Sequence, residues 1–332
     1  MTDHARNRVG IFTPASPIGP IELDMGVEVM RAAGFDVTVH DQAAAQHFIF
    51  AGTDEQRAGA LWDLAVDDTI DVLWCARGGY GCTHLLPLLD KFTAEHGPPP
   101  RKLLVGYSDV TVLHHYVRMR WGWETLHANM PASASFVTMD RAQRDATFAL
   151  ARQGLHAQAG RTFGAVRLGF FANPPGAPIE AEVIGGNLAT WNYLTGTPWA
   201  PTPEQLAGRF LFFEDLGEGF YKMDAYLTQL DQAGGFDDVA GLILGGFHDC
   251  TDEQSTRFAS PPTDDQPDPP TTPLRLTYDE KEAMRRITAP LAEHHGFPVA
   301  WKLPVSHGPD YWPLVLGATH RLMPDGSFTV AG

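Results

Sequence analysis

Cysteine is scarce in this sequence: Cys75, Cys82 and Cys250 are the three among 332 residues. Their wide spacing makes neither a disulfide framework nor a zinc knuckle. Each is expected to be a small buried apolar residue in a chain of the reducing cytoplasm. Basic charge is also short, with 24 Lys and Arg against 40 Asp and Glu and a formal net charge of −16. Nucleic acids and anionic membranes select clustered Lys and Arg, so this balance argues against both as partners. Its simplest consequence is solubility. No run approaches the roughly 20 apolar residues of a spanning helix. The opening residues, MTDHARNRVGIF, lack the apolar core of a secretory signal. H-E-x-x-H, C-x-x-C and H-x-H patterns are missing, so no metal is expected, and without a dinucleotide fingerprint no cofactor is expected either.

The composition that remains is ordinary for a globular chain, 44% hydrophobic and 19% charged, and the length suits two domains. Over the first ~125 residues strand and helix signals alternate. RVGIFTPAS, FDVTVH, IDVLWCA and KLLVGY read as strands. IELDMGVEVMRAAGF (closed by Gly34), TDEQRAGALWDLAVDD (with Thr53 or Asp54 as N-cap), THLLPLLDKFTAEHG and SDVTVLHHYVRMRWG read as helices. The apolar strands suit a parallel sheet covered on both faces, hence an α/β domain with right-handed crossovers. RAQRDATFALARQG is one more helix, and RTFGAVRLGFFANPPGAPIEAEVIGG is strand-like and rich in Gly and Pro. Further on come the strands RFLFFED, AGLILGGF and PVAWKLPVS, with helices over YKMDAYLTQLDQAG and YDEKEAMRRITAPLAEHHG. The expected organisation is an α/β domain over 1–155, a linker over 156–180 and a mixed, β-rich domain over 181–332. The Pro- and Asp-rich stretch 260–274 is expected to be a surface loop. No internal repeat is apparent.

Four stretches could carry chemistry. In LLVGYSDVTVLHHY a buried strand ends at Tyr107, Ser108 follows, and a helix begins at once. A serine at that turn is either a nucleophile displayed at the sheet edge, with helix N–H groups behind it to receive an oxyanion, or merely an N-cap. The second glycine of G-x-S-x-G is absent. In ARGGYGC, Gly78, Gly79 and Gly81 permit a tight turn with exposed N–H groups; the turn matches no nucleotide-binding pattern and could equally be geometric only. At the same edge of a parallel sheet it could supply a second oxyanion donor. FLFFEDLGE ends an apolar strand in Glu214 and Asp215, with Glu218 close behind. Such carboxylates could orient a histidine or cap the next helix. His307 precedes Gly308 and Pro309, which suits a general base held in an ordered turn. His248 and His127 are its rivals, while His114 and His115 read as packing or surface residues. Trp191, Tyr193 and Trp199 are expected in the core, though the 185–199 segment could instead line a pocket.

In order along the chain, TPAS (13–16), AGTDEQR (51–57), RGGYG (77–81), GYSD (106–109), GGNL (185–188), GTPW (196–199), FFEDLGE (212–218) and His307 before an LGA element resemble the LD-carboxypeptidase family of serine peptidases. That family also includes the microcin C immunity peptidases. The resemblance implies a Rossmann-like or flavodoxin-like N-terminal domain carrying the nucleophile Ser108. The C-terminal domain would carry Glu214, which orients the base, and His307, the base itself. It implies an oxyanion hole from the backbone N–H of Asp109 and of Gly79 (or its neighbour Gly78). Tyr80, Asn187 and Glu218, within the matching motifs, are the expected substrate-binding residues. The implied substrate is a murein tetrapeptide, cut between meso-diaminopimelate and terminal D-Ala during cell-wall recycling in the cytoplasm by a homodimer. Immunity members instead cleave acyl-sulfamoyl or aminoacyl-nucleotide peptides and stack the base on an aromatic residue. No tryptophan stands at 165–180, only Phe170 and Phe171, which favours muropeptides. HANM (127–130) departs from the H-G-P-M of relatives, and the 260–274 stretch is long; both bear on the pocket. A non-catalytic two-domain protein holding a small ligand is the alternative outside enzymes, and it requires that Ser108, Glu214 and His307 not converge.

Overall fold

The computed structural model describes residues 7–153, 166–252 and 279–331. The first half alternates as its apolar pattern requires: β1 (Arg8–Phe12), α1 (Pro20–Ala32), β2 (Asp36–Val39), α2 (Asp54–Val66), β3 (Val72–Cys75), α3 (Leu86–His96), β4 (Leu103–Gly106), α4 (Thr111–Trp121), β5 (Glu124–His127), α5 (Ala134–Thr138) and α6 (Arg141–Gln153). Every residue of β3 and β4 is buried, as the continuous apolar runs VLWC and LLVG demand. Helix limits follow local chemistry. Pro20 opens α1. Thr53, not Asp54, caps α2, in a reciprocal box with Gln56. Gly122 stops α4 in the left-handed conformation.

The five strands pair in parallel in the order β2-β1-β3-β4-β5, the flavodoxin-like order. The chain reverses direction across the sheet between β1 and β3. The turns after β1, β3 and β4 therefore share the carboxyl edge, where open α/β sheets bind their ligands.

The second half contributes β6 (Val166–Arg167), β7 (Gly169–Ala172), β8 (Ile179–Asn187), α7 (Leu188–Asn192), α8 (Pro203–Leu206), β9 (Phe210–Leu216), α9 (Phe220–Gln232), β10 (Gly241–His248), α10 (Glu280–His295), β11 (Val299–Trp301), β12 (Leu314–Leu316), β13 (Thr319–Leu322) and β14 (Ser327–Val330). Eight of these strands form a mixed sheet ordered β6-β14-β13-β8-β9-β10-β11-β7, with β8 to β11 parallel. Consecutive β6 and β7 lie at its two opposite edges, so one short segment joins both edges and the sheet curls round an apolar interior. Phe210, Phe212, Ile243, Leu314 and Phe328 fill that interior. The opposite face of β9 and β10 packs Leu211, Phe213, Leu242 and Leu244 against α7, α9 and α10 through Trp191, Met223, Leu227 and Met284.

Of the span expected as a linker (156–180), 166–167 and 169–172 are these two edge strands and 179–180 already belong to β8, and 156–165 lie outside the described residues, as does the Pro-rich 260–274 stretch. Strand β12, from the second half, completes the first sheet antiparallel to β5, with Leu314 opposite His127. Arg118 on α4 reinforces that junction, pairing with Glu182 on β8 and donating to the Leu316 carbonyl at 3.0 Å. Trp191 is buried and Trp199 half-buried, but Tyr193 is 43% exposed, contrary to the core expectation. Its ring stands edge-on to that of Tyr80 at the surface, 6.1 Å away. Cys75 and Cys82 are fully buried, whereas Cys250 is only half-buried.

Candidate active site

Ser108 follows β4 by two residues and opens a short 3₁₀ turn, Ser108–Val110, that runs directly into α4. Its φ of 63° is left-handed, a conformation costing a non-glycine residue about 1 kcal/mol or more. An N-cap has extended dihedrals and a side chain bonded to a backbone N–H; here Tyr107 occupies the cap position and no side-chain cap is made. The helix-cap reading of Ser108 therefore does not hold.

The turn after β3 comes against this serine. A Cβ on Gly78 would lie 2.9 Å from the Ser108 Cβ and 3.1 Å from its Oγ, so only glycine permits the approach. Gly79, expected as the donor, has a φ of 113° and lies against Ser16 rather than Ser108. Among the described residues, the Gly78 and Gly79 N–H groups have no acceptor, while Tyr80 N–H donates to Ser16 Oγ at 3.3 Å and Cys82 N–H to the Asp109 carboxylate at 2.8 Å.

Glu214, near the end of β9, is fully buried and accepts from His307 Nδ1 at 2.6 Å. Charge-assisted bonds of this length are strong. They leave Nε2 as the ring nitrogen free for proton transfer. Burial alone pushes the His307 pKa down, but the Glu214 charge and hydrogen bond, helped by Asp215, leave it raised above 6.5. The His307 turn is pinned by Gly308 N–H donating to Ser306 Oγ at 2.9 Å and by the Tyr311 hydroxyl donating to the His307 carbonyl at 3.1 Å. The Tyr107 ring, one residue before Ser108, packs on the His307 imidazole at 4.6 Å. The His307 imidazole thus stands beside the serine turn although the two come from different halves of the chain.

Neither Glu214 nor Asp215 caps the helix that follows, α9, whose N-cap is Gly219 with no side-chain bond; Asp215 turns back to α7 instead. Its carboxylate accepts from Ala189 N–H at 2.9 Å at the start of α7 and from Asn187 Nδ2 at 2.8 Å. Burial, and then the Glu214 charge, push its pKa up to about 6. Asn187 itself caps α7 through Thr190 N–H and donates its backbone N–H to Thr111 Oγ1 at 3.0 Å. The fold thus already uses much of Asn187's bonding capacity, and its place is the seam between β8 and α4. Glu218 is ion-paired with Lys222 at 2.8 Å. Tyr80 is 42% exposed, on the rim beside Phe50, His84 and Tyr193.

The rival histidines stand apart from such a pairing. His248 is exposed, against Gly308. His127 is buried with neither ring nitrogen bonded, and burial holds its pKa well below 6.5. His114 is buried with Nε2 against the Gly106 carbonyl at 2.9 Å, and His115 is buried on Trp191. Sequence reasoning missed Arg57, fully buried, which donates to the carbonyls of Pro14 and Gly81 at 2.5 and 2.9 Å. It also missed the Asp109 side chain. An arginine on the inward face of α2 was the one available signal.

Among the described residues no cluster of three or more His, Cys, Asp or Glu could hold a metal, and no helix is long and apolar enough to cross a membrane. Comparison with known proteins agrees with the motifs. Residues 9–128 match the model of the LD-carboxypeptidase N-terminal domain and residues 180–322 that of the C-terminal domain. The murein tetrapeptide carboxypeptidase of Pseudomonas aeruginosa is 30% identical over 73% of this chain and 77% of its own length. The microcin C7 self-immunity protein MccF of Escherichia coli is 25% identical over 71% of this chain and 74% of its own. The crystal structure of the muramoyltetrapeptide carboxypeptidase from Oxalobacter formigenes superposes with a TM-score of 0.73 at 24% identity, over 97% of this chain and 96% of that one. With both domain models matched in order, on a two-sheet fold that joins the serine turn to a Glu–His pair, the chain belongs to the LD-carboxypeptidase family of peptidases.

Proposed function

We propose that this protein is a serine carboxypeptidase that hydrolyses the L,D-peptide bond before the terminal D-Ala of murein tetrapeptides, in cytoplasmic cell-wall recycling. The observation that carries the reading is the buried Glu214–His307 pair at 2.6 Å beside Ser108, itself held in a left-handed turn. In this mechanism His307 Nε2 takes the Ser108 proton as Oγ attacks the scissile carbonyl. Glu214 fixes the tautomer and stabilises the imidazolium. The oxygen that becomes negative is received by backbone N–H groups, that of Asp109 from the helix side and that of Gly78 or Gly79 from the β3 turn. The imidazolium returns its proton to the departing D-Ala nitrogen. Water, deprotonated by the same histidine, then releases the acyl-enzyme.

Muropeptides are favoured over nucleotide-linked peptides because the two aromatics of the 165–180 stretch are engaged within the second sheet. Phe171 stacks on Trp301 at 5.1 Å, and Phe170 packs on the barrel-like interior. The test is release of D-Ala from L-Ala-γ-D-Glu-meso-diaminopimelate-D-Ala by wild type and Ser108→Ala. Release by wild type and its collapse in the variant is the expected result. An inert wild type overturns the substrate assignment, and a fully active variant overturns the mechanism.

A further inference from the structure

The β3 turn that faces Ser108 is a short glycine-rich loop, residues 77–82, which would wander if left to itself. It is instead tied at three points by groups outside the triad. Ser16, in the turn after β1, donates its N–H to the Gly78 carbonyl at 3.2 Å and accepts Tyr80 N–H on its Oγ. Arg57 reaches from α2 with its whole side chain buried; one guanidinium nitrogen bridges the Pro14 and Gly81 carbonyls, another pairs with Asp54, and the guanidinium lies over the Phe50 ring at 4.7 Å. Asp109, next to the serine and fully buried, receives Cys82 N–H at 2.8 Å from the far end of the loop.

Burying a guanidinium and a carboxylate costs several kcal/mol unless each is fully engaged. Among the described residues, each has one buried atom without a hydrogen-bond partner, Arg57 Nε and Asp109 Oδ1, and each directs its bonded atoms at backbone of this one loop. Burial lifts the Asp109 pKa to about 6, against the Cys82 N–H bond and the charges of Arg57 and His84 that lower it; the Cys75 and Cys82 thiols and Tyr193 also face it. The ties end on Gly78 O, Tyr80 N, Gly81 O and Cys82 N, so they leave free the N–H groups of Gly78 and Gly79.

We propose that Arg57 and the Asp109 side chain are positioning residues that hold the 77–82 loop so that its free N–H groups meet the oxyanion formed by Ser108. The Asp109 carboxylate acts separately from its backbone N–H, which any residue at 109 retains. The inference rests on Ser108 being the nucleophile.

The experiment compares kcat and KM on the tetrapeptide for wild type, Ser108→Ala, Asp109→Ala, Asp109→Asn, Arg57→Met and Arg57→Lys, with thermal unfolding of each. A lost oxyanion donor lowers kcat by about 10²- to 10³-fold. Asp109→Ala and Arg57→Met are expected to fall by that order with KM within about threefold of wild type. Asp109→Asn keeps an acceptor for Cys82 N–H and is expected to recover to within about tenfold of wild type. Where Arg57→Met does not fold, Arg57→Lys and the Asp109 pair carry the test, with Arg57→Lys intermediate in kcat. The proposal is overturned if folded Asp109→Ala and Arg57 variants keep kcat within threefold, if the loss is in KM alone, or if Asp109→Asn is as poor as Asp109→Ala. An active Ser108→Ala, or an inert wild type, instead refutes the underlying serine mechanism, so the two failures are distinguishable.

Discussion

Glu214→Gln separates orientation of the base from its charge. The side chain is fully buried and its Oε2 receives His307 Nδ1 at 2.6 Å. Glutamine keeps the shape but offers at most a neutral acceptor, and in its flipped form an NH₂ that favours the wrong tautomer. An isosteric acid-to-amide change at the orienting position of a triad lowers kcat by about 10⁴-fold, and a fall of about 10³-fold or more is expected here. The pH profile should move in a definite direction. Burial pushes the His307 pKa down, and the Glu214 charge with its hydrogen bond reverses that. A hydrogen bond to a charged group is worth about 1.5–3 kcal/mol, and about 1.4 kcal/mol corresponds to one pH unit. Without the carboxylate burial dominates, so the acid limb of kcat/KM, which reports protonation of the base, should shift down by about one to two pH units. Initial rates on the tetrapeptide from pH 4.5 to 8.5 measure both effects. An acid limb that stays in place or rises, or a rate within tenfold of wild type, would refute the assignment of Glu214 and His307 as a coupled pair.

Three further outcomes follow from local geometry. Gly78→Ala puts a methyl 2.9 Å from the Ser108 Cβ; activity should drop by about 10²-fold or more, with destabilisation of about 1–3 kcal/mol from overpacking, and an active enzyme would mean that the β3 turn does not abut the nucleophile. Ser108 has a φ of 63°, so inactive Ser108→Gly should be about 1 kcal/mol more stable to urea than inactive Ser108→Ala; the reverse order would argue against strain at this turn. Stability should rise with pH between about 4 and 6.5, because the pKa values of buried His114, His115 and His320 are lowered to about 4, and that of His127 further, so the unfolded chain binds protons that the native one does not. Asp109 and Asp215, raised to about 6, act in the opposite sense from about 4 to 6, two groups against four. His320 stacks on Phe328 in the second sheet, and His320→Leu should flatten the pH dependence of the unfolding free energy from urea titrations by about one proton's worth, near 1.4 kcal/mol per pH unit; an unchanged slope refutes the assignment.

What could be read from the sequence was what is local in the chain. The apolar runs VLWC and LLVG announced buried parallel strands, and a serine between such a strand and a helix announced the sheet edge. Glu214 and His307 each stand near the end of a strand signal before a turn, which made them candidates, but it was the resemblance to the family that separated them from Asp215, His127 and His248. The capping alternatives were harder, because FFEDL contains two adjacent carboxylates with opposite fates. Strand alternation sends Glu214 to His307 and Asp215 to Asn187 and the α7 N–H groups, and nothing in composition says which neighbour faces which side. Non-local pairing was out of reach. Residues 166–172 read as strand-like, but nothing local says that they pair with β14 and β11 at the two opposite edges of one sheet. LVL at 314–316 joins the first sheet because β5 is otherwise an edge. The loop ties follow the same logic. Arg57 sits 20 residues or more from both of its structural targets, Pro14 to one side and Gly81 to the other; the helical wheel places it on the stripe of Leu61 and Leu64 but does not say what it meets there. Only the contact of α2 with two sheet-edge turns supplies the carbonyls that it binds. A charged residue buried between two turns at the carboxyl edge of the first sheet is where the apolar stripe of α2 and the fold part company, and disagreements of that kind are where functional constraint is sought first.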